Sequence, residues 1–285
     1  MPLQPFAAEA GPGQSWDYSV LMAVYAGEQP QYLAQALASL CACRPEVLEV
    51  VLVEDGPLTP GLREVIEGFR GRLPLRSVAL PSNQGLGPAL NVGLRACTKP
   101  WIARFDTDDL VEPHRFERQI GWLQAHLQVD ICGGWIREFD ADHDAEKGWL
   151  RRVPETHEHI KAYARQRNPF NHMTVMFRGR VALAAGGYGN EPMYEDYALW
   201  VRMLQNGAVA ANLPEVLVRA RAGQGMLARR GGWKYVASEW AMQRTFLRSG
   251  FIGPLRFAAN LAIRLPVRLA PNKLRGIFYR LFLRR

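Results

Sequence analysis

A chain of 285 residues, 48% hydrophobic and 22% charged, has the length for one large or two small cores and an ordinary globular composition, which excludes bulk disorder. The four cysteines, Cys41, Cys43, Cys97 and Cys132, have neither the spacing of a zinc site nor that of a disulfide scaffold, and indicate a reducing, cytosolic setting. The formal charge of +8 is lopsided: from Arg244 onward there are ten basic residues and no acid, so the rest stands at −2 and the basic segment alone implies a charged partner.

Residues 1–16 carry Pro2, Pro5, Gly11, Pro12 and Gly13 without the charged and apolar regions of a signal peptide, and are expected to form a flexible tail. No run longer than 18 residues is free of charge, so no spanning helix is expected, since one needs about 20 apolar residues. Residues 18–24 then read as a strand, followed by Tyr25-Ala26-Gly27-Glu28 and a helical spacing over 32–40. A second unit has a strand over 47–53, a turn at Glu54-Asp55-Gly56-Pro57 and a helix over 62–69. A third runs from a strand over 75–80 through Asn83 and Gly85-Leu86-Gly87 into a helix over 89–96. The fourth strand, with Trp101, Ile102 and Phe105, discharges directly into Asp106, Asp108 and Asp109.

Strands alternating with helices predict a parallel, doubly wound sheet that binds ligands beyond the carboxyl ends of its strands. The polar residues fall there: Tyr25 and Glu28, Glu54 and Asp55, Asn83, then Asp106 and Asp108. Desolvating several carboxylates together is costly without a cation, and oxygen ligands suit Mg²⁺ or Mn²⁺ alongside a diphosphate. Asp108 or Asp109 capping a helix that begins near Pro113 fits the same residues. A dinucleotide dehydrogenase does not, because the first loop holds only Gly27, and Gly85-Leu86-Gly87 is followed by Leu90 where a third glycine belongs.

Farther along, Ile120, Leu123 and Leu127 mark a helix, and residues 129–136 a strand. The acidic run 140–146 is not a calcium loop, since Ala145 and Arg151 stand where Gly and Glu belong. Residues 171–177 alternate as a strand with a structural His172 at its entrance. Leu199, Trp200, Met203 and Leu204 form one helical face, with Glu195 and Asp196 at the helix start, where carboxylates cap the helix or serve as a general base. Residues 212–218 read as an edge strand, and 219–232 as an Arg- and Gly-rich loop that closes over a phosphate or is simply solvated. Residues 251–285 interleave apolar and basic side chains, broken into short helices by Pro266 and Pro271. Such a segment suits an anionic bilayer, at about 1 kcal/mol per basic residue; nucleic acid is not expected, because no recognition motif accompanies the charge.

Tyr25, Glu54-Asp55-Gly56, Asn83-x-Gly85 with Asn91, Asp106-Thr107-Asp108-Asp109 followed by Pro113, and Glu195-Asp196 leading into Leu199-Trp200 together resemble the inverting nucleotide-sugar glycosyltransferases of family two, over about residues 17–235. The stretch from His172, the Glu195–Trp200 run and Arg229-Arg230-Gly231 are similar to bacterial exopolysaccharide and O-antigen transferases of the amylovoran type. The resemblance implies a GT-A α/β fold, a Rossmann-like, mostly parallel sheet flanked by helices over 17–240; residues 241–285 read from their own composition as a basic amphipathic membrane-associating helical segment. It implies that Tyr25 stacks on uracil, Asp55 accepts the uracil imide hydrogen, Asp106 holds the ribose side, Asp108 binds Mn²⁺ or Mg²⁺, and Asp196 is the base. Glu28, Asn83, Arg229 and Arg230 complete the nucleotide-sugar site. The expected reaction moves a hexose, glucose or galactose, from a UDP-sugar to a lipid-linked saccharide on the cytoplasmic face of a bacterial plasma membrane. Glu54 departs from the Asp common in the family. The absence of Gln-x-x-Arg-Trp favours single-sugar transfer. A sugar-1-phosphate nucleotidyltransferase, which should carry a basic glycine-rich loop after the first strand, and a non-catalytic nucleotide-sugar-binding protein are the alternatives.

Overall fold

The structure is a computed structural model that describes residues 16–139, 148–222 and 232–269. The N-terminal tail before Trp16, the acidic run 140–146, Arg229, Arg230 and the chain after Leu269 lie outside the described residues.

Strand β1 (Tyr18–Val24) is buried on both faces between β2 (Val50–Glu54) and β4 (Trp101–Arg104), parallel to both. A strand covered on both faces needs no polar alternation, which explains its continuous apolar run. Its side chains divide between two layers with the two-residue period of a strand. Val20, Met22 and Val24 pack with residues of α1 (Pro30–Cys41) and α2 (Pro60–Phe69), whereas Leu21 joins Val51, Val53 and residues of α3 (Leu86–Ala96). Pro30 and Pro60 open α1 and α2, where a missing N–H is harmless.

β3 (Leu75–Ala79) completes a parallel half by pairing with β2. Beyond β4 the sheet is mixed: β8 (Met176–Arg178) runs antiparallel to β4, and β6 (Ile131–Phe139) antiparallel to β8 and to β7 (Trp149–Arg151). β9 (Ala210–Arg221) runs parallel to β6 and antiparallel to β5 (Leu110–Val111), giving the order β3-β2-β1-β4-β8-β6-β9-β5. The remaining helices are α4 (Arg115–Ala125), α5 (His157–Ala164), α6 (Gly179–Ala184), α7 (Glu195–Gln205), α8 (Trp233–Arg248) and α9 (Pro254–Leu269).

Four expectations change. The strand expected over 171–177 is first a 3-10 turn (His172–Thr174) and becomes β8 only at Met176, because the Thr174 hydroxyl donates back to Asn171 O at 2.8 Å and tightens the chain. The strand expected at an edge is interior, since β5 returns to cover it. Leu127 lies past α4 and is 60% exposed. Pro266 does not break α9: the bond it removes lies on the solvent side, while the opposite side is held down by buried Asn260 and Leu261.

A third apolar cluster joins Tyr194, Tyr197 and Val201, at and within the start of α7, to Met242, Phe246 and Ile252. The α8–α9 hairpin is therefore packed onto the body of the molecule, and α8 runs unbroken across residues 240 and 241.

Candidate functional site

The strand order reverses between β1 and β4, and the crevice beyond their carboxyl ends is where such sheets bind ligands. Tyr25 and Glu28 follow β1, Asp55 follows β2, Asn83 follows β3, and Asp106, Asp108 and Asp109 follow β4. Gly56 has φ +87°, and a Cβ there would lie 2.7 Å from Asn83 N, so glycine alone lets the loops after β2 and β3 touch. Their contact fixes Asp55, whose carboxylate accepts from Gln84 N at 2.7 Å and Gly85 N at 3.0 Å. The Asn83 amide donates to Asp55 O at 3.3 Å, which makes it a brace between the loops. Tyr25 is 46% exposed with its ring against Gly27. Glu28 accepts from the Thr107 hydroxyl at 2.9 Å and from Gln29 N at 2.7 Å.

Beneath the carboxylates lies a cation that the sequence reading passed over. Arg104 is 1% exposed, forms an ion pair with Asp106 and donates to Phe105 O. Its own carbonyl accepts from buried Arg115 on α4 at 2.9 Å. The signal was present: an arginine in an apolar strand, two residues before an aspartate. This one guanidinium does not neutralise the group. Burial, then the charges of Asp106 and Glu28, push the Asp108 carboxyl up to about 7. Burial, then Asp108 and Asp106, drive Asp109 well above the usual carboxylate range.

Neither aspartate caps α4, whose N-cap is His114. Asp109 instead accepts from Arg221 N at 2.7 Å, and its other oxygen is buried without a partner. Arg221 also donates from Nε to Asp108 O at 3.0 Å, with its guanidinium 4.0 Å from the Tyr32 ring centre. Arg219 and Arg221 thus belong to β9 and not to the Arg- and Gly-rich loop, and Arg219 pairs with Glu112 at 2.7 Å. Among the described residues no group of three or more His, Cys, Asp or Glu is placed to enclose a metal. The donors present, a half-buried Asp108 and an orphaned oxygen of Asp109, fit a hard cation that takes one or two carboxylates and fills its shell with phosphate and water.

Across the crevice, α7 opens with Glu195 and Asp196. Tyr194 occupies the N-cap position, so neither carboxylate is used as the cap. Burial, then the Asp196 charge, raises Glu195 to about 7. Burial also raises Asp196, against the hydrogen bonds it accepts from Tyr197 N at 2.7 Å and the Asn168 amide at 2.6 Å. Asn168 sits in a loop with no sequence pattern to mark it. The charge of Asp106 contributes to the shifts of Asp108, Asp109, Glu195 and Asp196 alike, so the two carboxylate groups share one electrostatic field. His172 keeps the structural place read for it: Nε2 meets the Tyr188 hydroxyl at 2.9 Å, and burial and Arg104 hold its pKa well below the usual value.

Behind α7 lies a different arrangement. Glu239 on α8 is fully buried, accepts from the Tyr194 hydroxyl at 2.6 Å, and pairs with Arg264 at 2.5 Å and Arg268 at 3.5 Å. Burial would raise its pKa, but Arg264, Tyr194 and Arg268 outweigh that and hold it low. Two cations of the basic C-terminal segment are therefore turned inward.

The sequence pattern described as Glycosyl transferase family 2 matches residues 19–184. The Amylovoran biosynthesis glycosyltransferase AmsE of Erwinia amylovora is 41% identical, over 92% of this chain and 97% of its own. The UDP-Gal:alpha-D-GlcNAc-diphosphoundecaprenol beta-1,3-galactosyltransferase of Escherichia coli is 38% identical, over 94% of this chain and 97% of its own. S. aureus TarS 1-349, solved in complex with UDP-GlcNAc, superposes with a TM-score of 0.63 at 18% identity, over 88% of this chain and 72% of its own. The mannosyltransferase PcManGT of Pyrobaculum calidifontis, solved with GDP-Man and Mn²⁺, gives 0.61 at 17% identity, over 92% and 72%. At those identities the two structures speak for the fold, which is GT-A. With the family pattern covering more than half of the chain and two relatives covering nearly all of it, the protein belongs to glycosyl transferase family 2 and is a glycosyltransferase.

Proposed function

We propose that this enzyme transfers one hexose, galactose being the first to test, from a UDP-sugar to a lipid-linked saccharide, with inversion, in the assembly of a bacterial surface polysaccharide. The observation that supports this most is the single field shared by Asp106, Asp108 and Asp109 on one side of the crevice and Glu195 and Asp196 on the other. Two such acid groups suit a reaction that needs a cation at the leaving group and a base at the nucleophile.

In this reading Tyr25 stacks on the uracil, and Asp55, held by two backbone N–H groups, still has lone pairs for the imide N–H. Asp106, steadied by Arg104, holds the ribose side. Asp108 holds Mn²⁺ or Mg²⁺, which when bound neutralises charge on the departing diphosphate. Arg229 and Arg230 supply further donors to the phosphates. Asp196 takes the proton of the acceptor hydroxyl as that oxygen bonds to the anomeric carbon. The bond from that carbon to UDP breaks on the opposite face, and its electron pair leaves with UDP. A carboxylate raised towards neutrality is a stronger base than an ordinary one, and Asn168 fixes its direction.

The choice of galactose and of a diphospholipid GlcNAc acceptor follows the Escherichia coli relative, whose name states both. Among the described residues no helix is long and apolar enough to cross a membrane, so a lipid-linked acceptor would be met by a peripheral protein. The test is UDP release from a panel of UDP-sugars with a synthetic lipid-diphosphate GlcNAc, with Mn²⁺ or with EDTA. Acceptor-dependent release from one donor, lost on chelation and in Asp108→Ala and Asp196→Asn, is expected. Failure of UDP to bind at all would overturn the reading.

A further inference from the structure

We infer that the outer face of the α8–α9 hairpin is a docking surface that inserts apolar side chains into an anionic bilayer, instead of resting on it through its arginines. This rests on the reading of the acceptor as lipid-linked, and it adds where and how the protein meets the lipid.

A surface helix ordinarily turns its apolar stripe inward and its charges to water. α9 turns Phe257 and Leu261 inward but otherwise departs from this. Arg264 and Arg268 point inward to Glu239, and Asn260 is buried with its amide on Gln243 at 3.0 Å and Arg165 O at 3.0 Å. On the opposite side Leu255 is 90% exposed, Ile263 67% and Leu269 48%, spaced at i, i+8 and i+14 so that they share one face. Ala259, Ala262 and Pro266 fill that face between them and are also exposed. α8 adds Trp233, 76% exposed, and Trp240, 48% exposed, with exposed Ala237 between them. Single exposed hydrophobes are common, but a stripe of them along each of two packed helices marks an interaction surface.

Charge identifies the occupant. Exposed Arg244 and Arg248 continue the Trp233–Trp240 stripe at four-residue steps, and exposed Arg256 borders the α9 stripe. No Asp or Glu occurs from Arg244 to the end of the chain. An apolar centre with tryptophans and a purely cationic rim matches the interface of an anionic membrane. A second copy of this face would set cation against cation.

The experiment is co-sedimentation of the full-length protein with phosphatidylcholine vesicles with and without phosphatidylglycerol. The wild type is expected to bind both and to prefer the anionic ones. Leu255→Asp with Ile263→Asp is expected to lower partitioning by about a hundredfold on both, from the loss of two inserted side chains. The neutral pair Leu255→Gln with Ile263→Gln is expected to do nearly the same, and unchanged urea midpoints show that the fold is kept. Arg244→Gln with Arg248→Gln should lower binding by about 25-fold on anionic vesicles alone. The proposal falls if the wild type stays in the supernatant, if both Leu255/Ile263 pairs bind as the wild type does, or if those changes only convert a dimer to a monomer. Vesicle binding needs no substrate. Binding without UDP release from any lipid-linked acceptor would sink the reaction proposed above and leave this inference standing, whereas release without vesicle binding would do the opposite.

Discussion

Two groups of buried acid in this protein are built to opposite plans. Around Glu239 the charge is complete: two guanidiniums and a tyrosine hydroxyl surround it, and its pKa is held low. In the crevice Asp106, Asp108, Asp109 and Glu195 share the influence of one buried arginine, Asp109 keeps an oxygen without a partner, and Asp108 and Glu195 are driven to about 7. A compensated charge is architecture. An uncompensated one that the fold nonetheless retains is available to something that arrives from outside, which in the proposed function is a cation and an acceptor proton. The same contrast explains why Arg264 and Arg268 are turned away from the outer face of the hairpin, since both pair with Glu239.

The comparison can be broken most directly by removing one acid from each group. Asp196→Asn is expected to lower kcat by about a thousandfold, within the range for loss of a general base, with an unchanged urea midpoint; UDP-release kinetics and denaturation on the same sample check both halves. Glu239→Ala should do the reverse, costing about 3 kcal/mol of stability because it strands two partly buried guanidiniums. Asp108→Ala, which removes a charge that Arg104 balances only in part, should leave the metal-free protein at least as stable as the wild type. If Asp108→Ala destabilised as much as Glu239→Ala, the distinction drawn between the two groups would be lost.

Proton linkage sharpens it further. Glu195 titrates near 4.5 when unfolded and near 7 when folded, so between those values the folded state binds more protons and stability falls as pH rises. The unfolding free energy read from urea titrations should therefore decline from pH 5 to 7.5, by on the order of 1–3 kcal/mol, and Glu195→Gln should flatten the decline. Glu239 works in the other sense: its lowered pKa stabilises the fold above the unfolded value, and that contribution is lost as pH falls through the folded one. The smallest effect is expected at Asn168. Its amide lowers the pKa of Asp196, so Asn168→Ala should cost about tenfold in kcat and move the acid limb of the pH profile upward, since a lost charge-assisted hydrogen bond is worth about 1.5–3 kcal/mol. An unmoved limb would show that Asn168 does not act through the base.

Local order in the chain determined much of this. The buried β1, the strand-turn-helix units after it and the carboxylates at their ends were legible because apolar period and strand-end polarity are properties of neighbouring residues. The placing of Tyr25, Asp55, Asp106 and Asp196 at the resembling positions followed from the same short patterns. What the sequence did not disclose depends on residues far apart in the chain. Arg104 gains its meaning from Asp106 above it and Arg115 behind it, Asn168 from a carboxylate 28 positions away, and Arg221 from Asp109, 112 positions before it. β9 became interior only when β5 returned to pair with it. The C-terminal segment was legible as apolar and basic, but its composition is the same whichever face is turned out. Only the packing of α9 on Glu239 sent Arg264 and Arg268 in and Leu255, Ile263 and Leu269 out, because a buried carboxylate without a cation costs more than an exposed leucine.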